Sequence, residues 1–235
     1  MFRILILLLS CVISIPAFAA EKPAALKDVV TALKKSYAAL QDVQADFSQK
    51  TVIASIKKEQ RGNGEVLLKR PASATAMFRF NYIKPEQQII SNGKQVWFYQ
   101  AESRQVIISQ VSTMFKGNYN IALSYLTGLG HVSQDFNISF SKEQRDKNGN
   151  YQLELIPKNP SPILARLELI VSAEVVERYL RDGAVKDTFP IISSVIYDIG
   201  GNETRISYSR ARVNKGIDNA RFNFKVPEGV EVIKQ

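Results

Sequence analysis

From Leu26 to Leu40 the apolar residues Leu26, Val29, Val30, Leu33, Tyr37 and Leu40 recur every three or four positions, while Lys27, Lys34, Lys35 and Gln41 fall elsewhere on the wheel. That period predicts an amphipathic helix between Pro23 and Val43, with Pro23 in its first turn and the apolar stripe packed on a sheet. At Val43 the period changes to two: Val43, Ala45 and Phe47 alternate with Gln44, Asp46 and Ser48. Successive side chains of a strand point to opposite faces, so the chain has entered a sheet.

Short β-branched and aromatic stretches then recur at Gly64 to Arg70, Met77 to Tyr82, Gln87 to Ser91, Gln95 to Tyr99, Gln105 to Ser109, Phe136 to Phe140, Tyr151 to Ile156, Arg166 to Val171, Val175 to Leu180, Ile191 to Ile199, Thr204 to Val213 and Phe222 to Val226. Asn92-Gly93, Asn148-Gly149, Asp182-Gly183 and Gly200-Gly201-Asn202 supply residues that accept positive φ and close hairpins. About eleven or twelve antiparallel strands in one meander must curl to bury an apolar face. One stretch breaks the alternation. Met114, Phe115, Ile121, Ala122, Leu123, Tyr125, Leu126 and Leu129 make a largely apolar stretch with a single charge, Lys116, and with glycines at 117 and 128. Such an insert reads as a plug in the barrel or a short helical lid over its mouth.

The amino terminus sets the compartment. Arg3 precedes an apolar run, Ile4 to Ile15, which leads into Ala17-Phe18-Ala19. This is the layout of a secretory signal peptide, residues 1–19, and the run is too short to span a bilayer. A rival reading makes Leu8-Leu9-Ser10-Cys11 a lipidation site that anchors the protein. Residues 20–235 then form a single domain, exported and soluble in the periplasm. Cys11 is the only cysteine, so the exported part has no thiol chemistry and rests on apolar burial. The formal net charge of +9 is scattered along the strands rather than blocked, which describes a solvated face, and nucleic acid is not an expected partner.

Candidate chemistry is sparse. The chain has one histidine, His131, no Gly-rich phosphate loop and no metal-ligand spacing, so neither an enzyme, a cofactor nor a metal site is expected. A lipid hydrolase using a serine with His131 is the enzymatic rival, without a nucleophile-elbow motif to support it. The strands instead carry surplus apolar side chains, among them Phe78, Phe80, Trp97, Tyr99, Ile107 and Phe224, some of which must face inward. They either fill a packed core or line a cavity, because an unclosed sheet of this many strands has room for one.

Phe47-Ser48-Gln49, Gly64, Lys69-Arg70-Pro71, Phe78-Arg79-Phe80, Ile90-Ser91-Asn92-Gly93, Trp97 and Tyr99 occur in that order, followed by Leu126-Thr127-Gly128, Leu155-Ile156-Pro157, Asp198, Gly201-Asn202, Thr204, Ile206, Asn214, Phe222, Phe224 and Pro227-Glu228-Gly229-Val230. The ordered set resembles the periplasmic lipoprotein carrier family known as LolA, over nearly all of the chain beyond the leader. It departs from that pattern at Ala72 to Ala76, extra residues between Pro71 and Phe78.

The resemblance implies a mainly β fold: an unclosed, half-open antiparallel barrel of about eleven strands with an N-terminal helix and a helical lid. It implies a monomeric carrier that takes the acyl chains of lipoproteins from an inner-membrane ABC exporter and delivers them to an outer-membrane acceptor lipoprotein, with no nucleotide site of its own. Each CH₂ kept from water is worth about 0.8 kcal/mol, so acylated clients need such a shelter.

Arg70 shares strand parity with Val66 and Leu68, which would aim a charge at the apolar face. The resemblance makes it a latch on lid carbonyls, for which a five-donor guanidinium is suited; a rim arginine with its head in water is the plainer alternative. Phe78 matches a family aromatic near the mouth that affects the direction of transfer. Phe47, Leu68, Phe78, Phe80, Trp97, Tyr99, Ile121, Tyr125 and Leu126 are the candidate cavity and mouth residues. Basic residues such as Arg79 are candidates for docking acidic partners. A carrier of another lipid or glycolipid, or a lipid-anchored acceptor of the same fold, remain alternatives.

Overall fold

The computed structural model describes residues 23–70, 77–114, 132–161 and 164–235. Twelve strands form one sheet: β1 (Asp42–Ile53), β2 (Lys58–Lys69), β3 (Met77–Lys84), β4 (Gln87–Ser91), β5 (Gln95–Gln100), β6 (Gln105–Gln110), β7 (Phe136–Arg145), β8 (Tyr151–Pro157), β9 (Arg166–Val171), β10 (Ile191–Tyr197), β11 (Glu203–Val213) and β12 (Glu231–Lys234). Their order is β12-β6-β5-β4-β3-β2-β1-β11-β10-β9-β8-β7, and the two end strands do not pair, so the barrel is unclosed.

Sequence neighbours are sheet neighbours within each half, as expected. The halves, however, are joined by the antiparallel pair β1–β11, and β12 lies parallel to β6. A single antiparallel meander is therefore too simple a description. The long β1–β11 register, from Val43 opposite Val213 to Val52 opposite Glu203, is interrupted by a bulge between Gln44 and Asp46.

Helix α1 (Leu26–Ala38) is the predicted amphipathic helix, and Val29, Leu33 and Tyr37 are buried. Its N-cap is Ala25, so Pro23 precedes the helix instead of occupying its first turn. Single helical turns α2 (Val111–Met114) and α3 (Val132–Asp135) flank the apolar insert. The stretch read as a strand at Val175 to Leu180 is helix α4 (Ala173–Asp182). Ser172 caps its first turn by accepting from the Val175 N–H, and Gly183 ends it at φ 69°. Asp182-Gly183 is thus a helix stop rather than a hairpin, the left-handed conformation that glycine adopts without strain.

The stretch read as a strand at Phe222 to Val226 is not one either. A 3-10 turn at Asn219–Phe222 leads into an extended, unpaired strap that reaches β12. Asp42, buried at the start of β1, fixes the root of this strap, its carboxylate accepting from the backbone N–H groups of Lys215 at 2.9 Å and Gly216 at 2.8 Å. A buried carboxylate needs such donors.

The sheet has two apolar faces. The inner face, on the side of α1, carries Val43, Ala45, Phe47, Val66, Phe78, Phe80, Val96, Leu153, Leu155, Leu167, Leu169 and Ile206 in one cluster with the helix. The outer face buries Leu67 and Met77 under Phe222, and Ile90, Trp97 and Val106 under Phe224, Val226 and Val230. The strap is therefore a second, smaller layer.

Candidate functional site: the inner face

Alternation along each strand decides which side chains reach the inner face. Phe47 on β1 and Phe78 and Phe80 on β3 do, and Tyr82 follows Phe80 by one strand repeat. Their rings form a continuous aromatic floor: Phe47 to Phe80 at 5.5 Å, Phe47 to Tyr82 at 4.7 Å and Phe78 to Phe80 at 6.3 Å between centroids, all edge to face. That geometry suits the ring quadrupoles. Leu68 on β2 is partly buried against the same cluster.

A second aromatic group closes the α1 side. Tyr37 lies 6.0 Å from Phe189, which meets Tyr208 of β11 edge to face at 5.5 Å. Burial, first of all, raises the Tyr37 hydroxyl above its ordinary value, with Tyr208 acting in the same direction and Arg70 against it. Burial likewise pushes Tyr82 up to about 12. Both phenols thus stay neutral and do not put charge on the apolar face.

Arg70 stands where this floor meets α1. Its backbone N–H donates to the Gln41 carbonyl at 2.8 Å, and its Nη1 donates to the Tyr37 carbonyl at 3.5 Å. That described acceptor belongs to the last turn of the N-terminal helix.

Of the candidate residues, Phe47, Leu68, Phe78 and Phe80 come together here. Trp97 and Tyr99 do not join them. They lie on the outer face, Trp97 packed with Ile90 and Val106 and Tyr99 against Phe224 at 5.3 Å. On β5 the inner positions are Val96 and Phe98, and both alternating sets are apolar, so parity alone could not assign the face. Ile121, Tyr125, Leu126 and His131 lie outside the described residues.

Arg79 also points outward. Its Nη1 donates to the Arg221 carbonyl at 3.0 Å, Nε to Asn81 Oδ1 at 2.8 Å and Nη2 to Gln88 Oε1 at 2.9 Å, so it clamps the strap. Phe189 and Tyr208 were not singled out from sequence; Tyr37 was read only as part of the helix stripe and Tyr82 only as the end of a strand, although it continues the Phe78, Phe80 alternation. Among the described residues, no group of three or more His, Cys, Asp or Glu could hold a metal ion. Nor is any described helix long and apolar enough to cross a membrane.

An unclosed sheet wrapped on an aromatic and aliphatic inner face, with a helix along it, is the architecture of a binding protein for apolar ligands. The family model described as outer membrane lipoprotein carrier protein LolA matches residues 38–225, and the chain belongs to that family. It is 29% identical to an outer-membrane lipoprotein carrier protein of Azotobacter vinelandii, covering 100% of this chain and 99% of that one. It is likewise 29% identical to the carrier protein of Nitrosomonas europaea, covering 95% and 94%. An uncharacterised conserved protein of Thermus thermophilus shares the fold, with a TM-score of 0.51, 14% identity and 89% of this chain covered.

Proposed function

We propose that this protein carries lipoproteins through the periplasm by sheltering their acyl chains against the inner face of the sheet. The observation that carries the reading is the continuous apolar inner face from Phe78 to Phe47, buried in one cluster with the N-terminal helix, in a chain of the lipoprotein carrier family. Burying a single 16-carbon chain removes about 12 kcal/mol of exposure cost at roughly 0.8 kcal/mol per CH₂. A surface shared between several chains accounts for soluble transport without catalysis.

Export depends on residues 1–19 acting as a cleaved leader. The exporter that supplies the client is an inner-membrane ABC transporter, and the recipient is an outer-membrane acceptor lipoprotein. Arg70 acts as the latch: the Tyr37 carbonyl supports this, since the guanidinium already holds a helix carbonyl beside the floor. Release of the latch lets apolar cover give way to cargo.

Purified protein added to spheroplasts tests the reading. It should appear in the supernatant in a one-to-one complex with newly made lipoprotein. Lipoproteins that stay in the inner membrane, or copurification of a glycolipid instead, would contradict it.

A further inference from the structure

The inner face changes character toward one end of the sheet. Gln49 on β1, Gln87 on β4 and Gln100 on β5 share the parity of the aromatic floor but lie beyond it, level with Tyr82 at the floor's edge on β3, toward the β3–β4 and β5–β6 turns. Tyr82, Gln87 and Gln100 stand directly opposite one another in register, so they form a row across three strands. The Tyr82 hydroxyl donates to Gln49 Oε1 at 2.8 Å, Gln49 Nε2 donates to Thr51 Oγ1 at 3.2 Å, and Thr51 meets Thr204 at 3.1 Å.

The amides of Gln87 and Gln100 have no side-chain hydrogen bond among the described residues, and both side chains are only partly buried. A recess of about 360 Å³ opens between Gln49, Gly62, Tyr82 and Gln87. Gly62 leaves room for the Tyr82 ring, which an added Cβ would approach to 3.1 Å.

We propose that this band is the subsite for the uncharged polar linkage of an acylated ligand, the ester and amide groups that join hydrocarbon chains to a peptide. This rests on the carrier reading and adds an orientation to it. A primary amide offers both a donor and an acceptor without charge, which matches ester carbonyls and amide groups. Glu86 and Glu102 flank Gln87 and Gln100 on one side and Arg61 lines the recess on the other, so the amides are the uncharged part of the band. Chains anchored at the Gln87 row run four residues along the sheet to the Phe78–Ser91 row, about 14 Å at 3.4 Å per residue. The ligand is thereby aligned with its tails on the aromatic floor and its peptide at the turn end.

The test compares two probes on the full protein: a tripalmitoylated cysteinyl peptide, which has the linkage, and palmitic acid, which lacks it. In the double variant Gln87→Leu/Gln100→Leu, which keeps apolar bulk, the Kd for the lipopeptide should rise about tenfold, the loss expected for two neutral hydrogen bonds. The Kd for palmitate should stay within twofold. Gln49→Leu, in the same band, should act in the same direction. Equal weakening for both probes, or none for either, overturns the subsite. A wild-type protein that binds neither probe overturns the carrier reading itself.

Discussion

The rings of Phe47 and Tyr82 meet edge to face, 4.7 Å between centroids, across the single residue that separates them in the sheet, Gly64. Strands two apart are about 9.5 Å from each other, so the rings touch only because the strand between them carries no side chain there. An added Cβ at Gly64 would also fall 1.9 Å from the Asn81 carbonyl oxygen, a backbone atom with no easy retreat. Gly64→Ala should therefore destabilise the fold by about 1–3 kcal/mol, the scale of overpacking. Thermal unfolding followed by circular dichroism checks it, and an unchanged Tm would mean that the strand shifts freely.

Alkaline pH should loosen the inner face. Tyr82 ionises near 12 in the folded protein, above the ordinary tyrosine value of about 10. A group whose folded value is raised contributes stability in full below about 10, and that contribution is lost as pH rises toward 12. Denaturant unfolding at stepped pH should show the decline, weakened in Tyr82→Phe. The same variant forfeits the bond to Gln49 and about 1 kcal/mol at neutral pH.

The strap over the outer face should be separable from the rest of the fold. Phe222 is fully buried against Leu67 and Met77, and Arg79 holds the adjoining carbonyls. Phe222→Ala should cost about 3–5 kcal/mol as a large core truncation. Arg79→Ala should cost less and chiefly expose the strap. Limited proteolysis should then cut between 214 and 230 before it reaches the strands.

How much of this was legible in the sequence depends on what fixed each element. Leu26 to Leu40 announces α1, and the strand from Arg166 to Val171 has the predicted bounds, because each keeps one period over its length. Val175 and Val176 looked like strand residues from their branching, yet their spacing to Tyr179 and Leu180 is helical and Ser172 and Gly183 cap the turn at both ends. Phe222, Phe224 and Val226 alternate like a strand but each fills a separate place on the outer face, and nothing local announces that. The same layer draws Trp97 and Tyr99 outward. The Gln87 and Gln100 row, too, exists only once the hairpin registers are known.

Arg70→Leu should leave the fold intact and retard transfer of lipoprotein to its acceptor about tenfold or more, the scale of a charged hydrogen bond. Transfer assays with purified components check this. Transfer at the wild-type rate would leave Arg70 as a residue that only ties β2 to α1.

The central claim concerns which face holds the fatty tails. A photo-crosslinking side chain placed at Phe80, on the inner floor, and at Ser207, on the outer side of β11, can be irradiated in the presence of a lipoprotein with radiolabelled acyl chains. The account predicts labelling from position 80 and none from 207. Labelling from 207 alone, or equally from both, would contradict it.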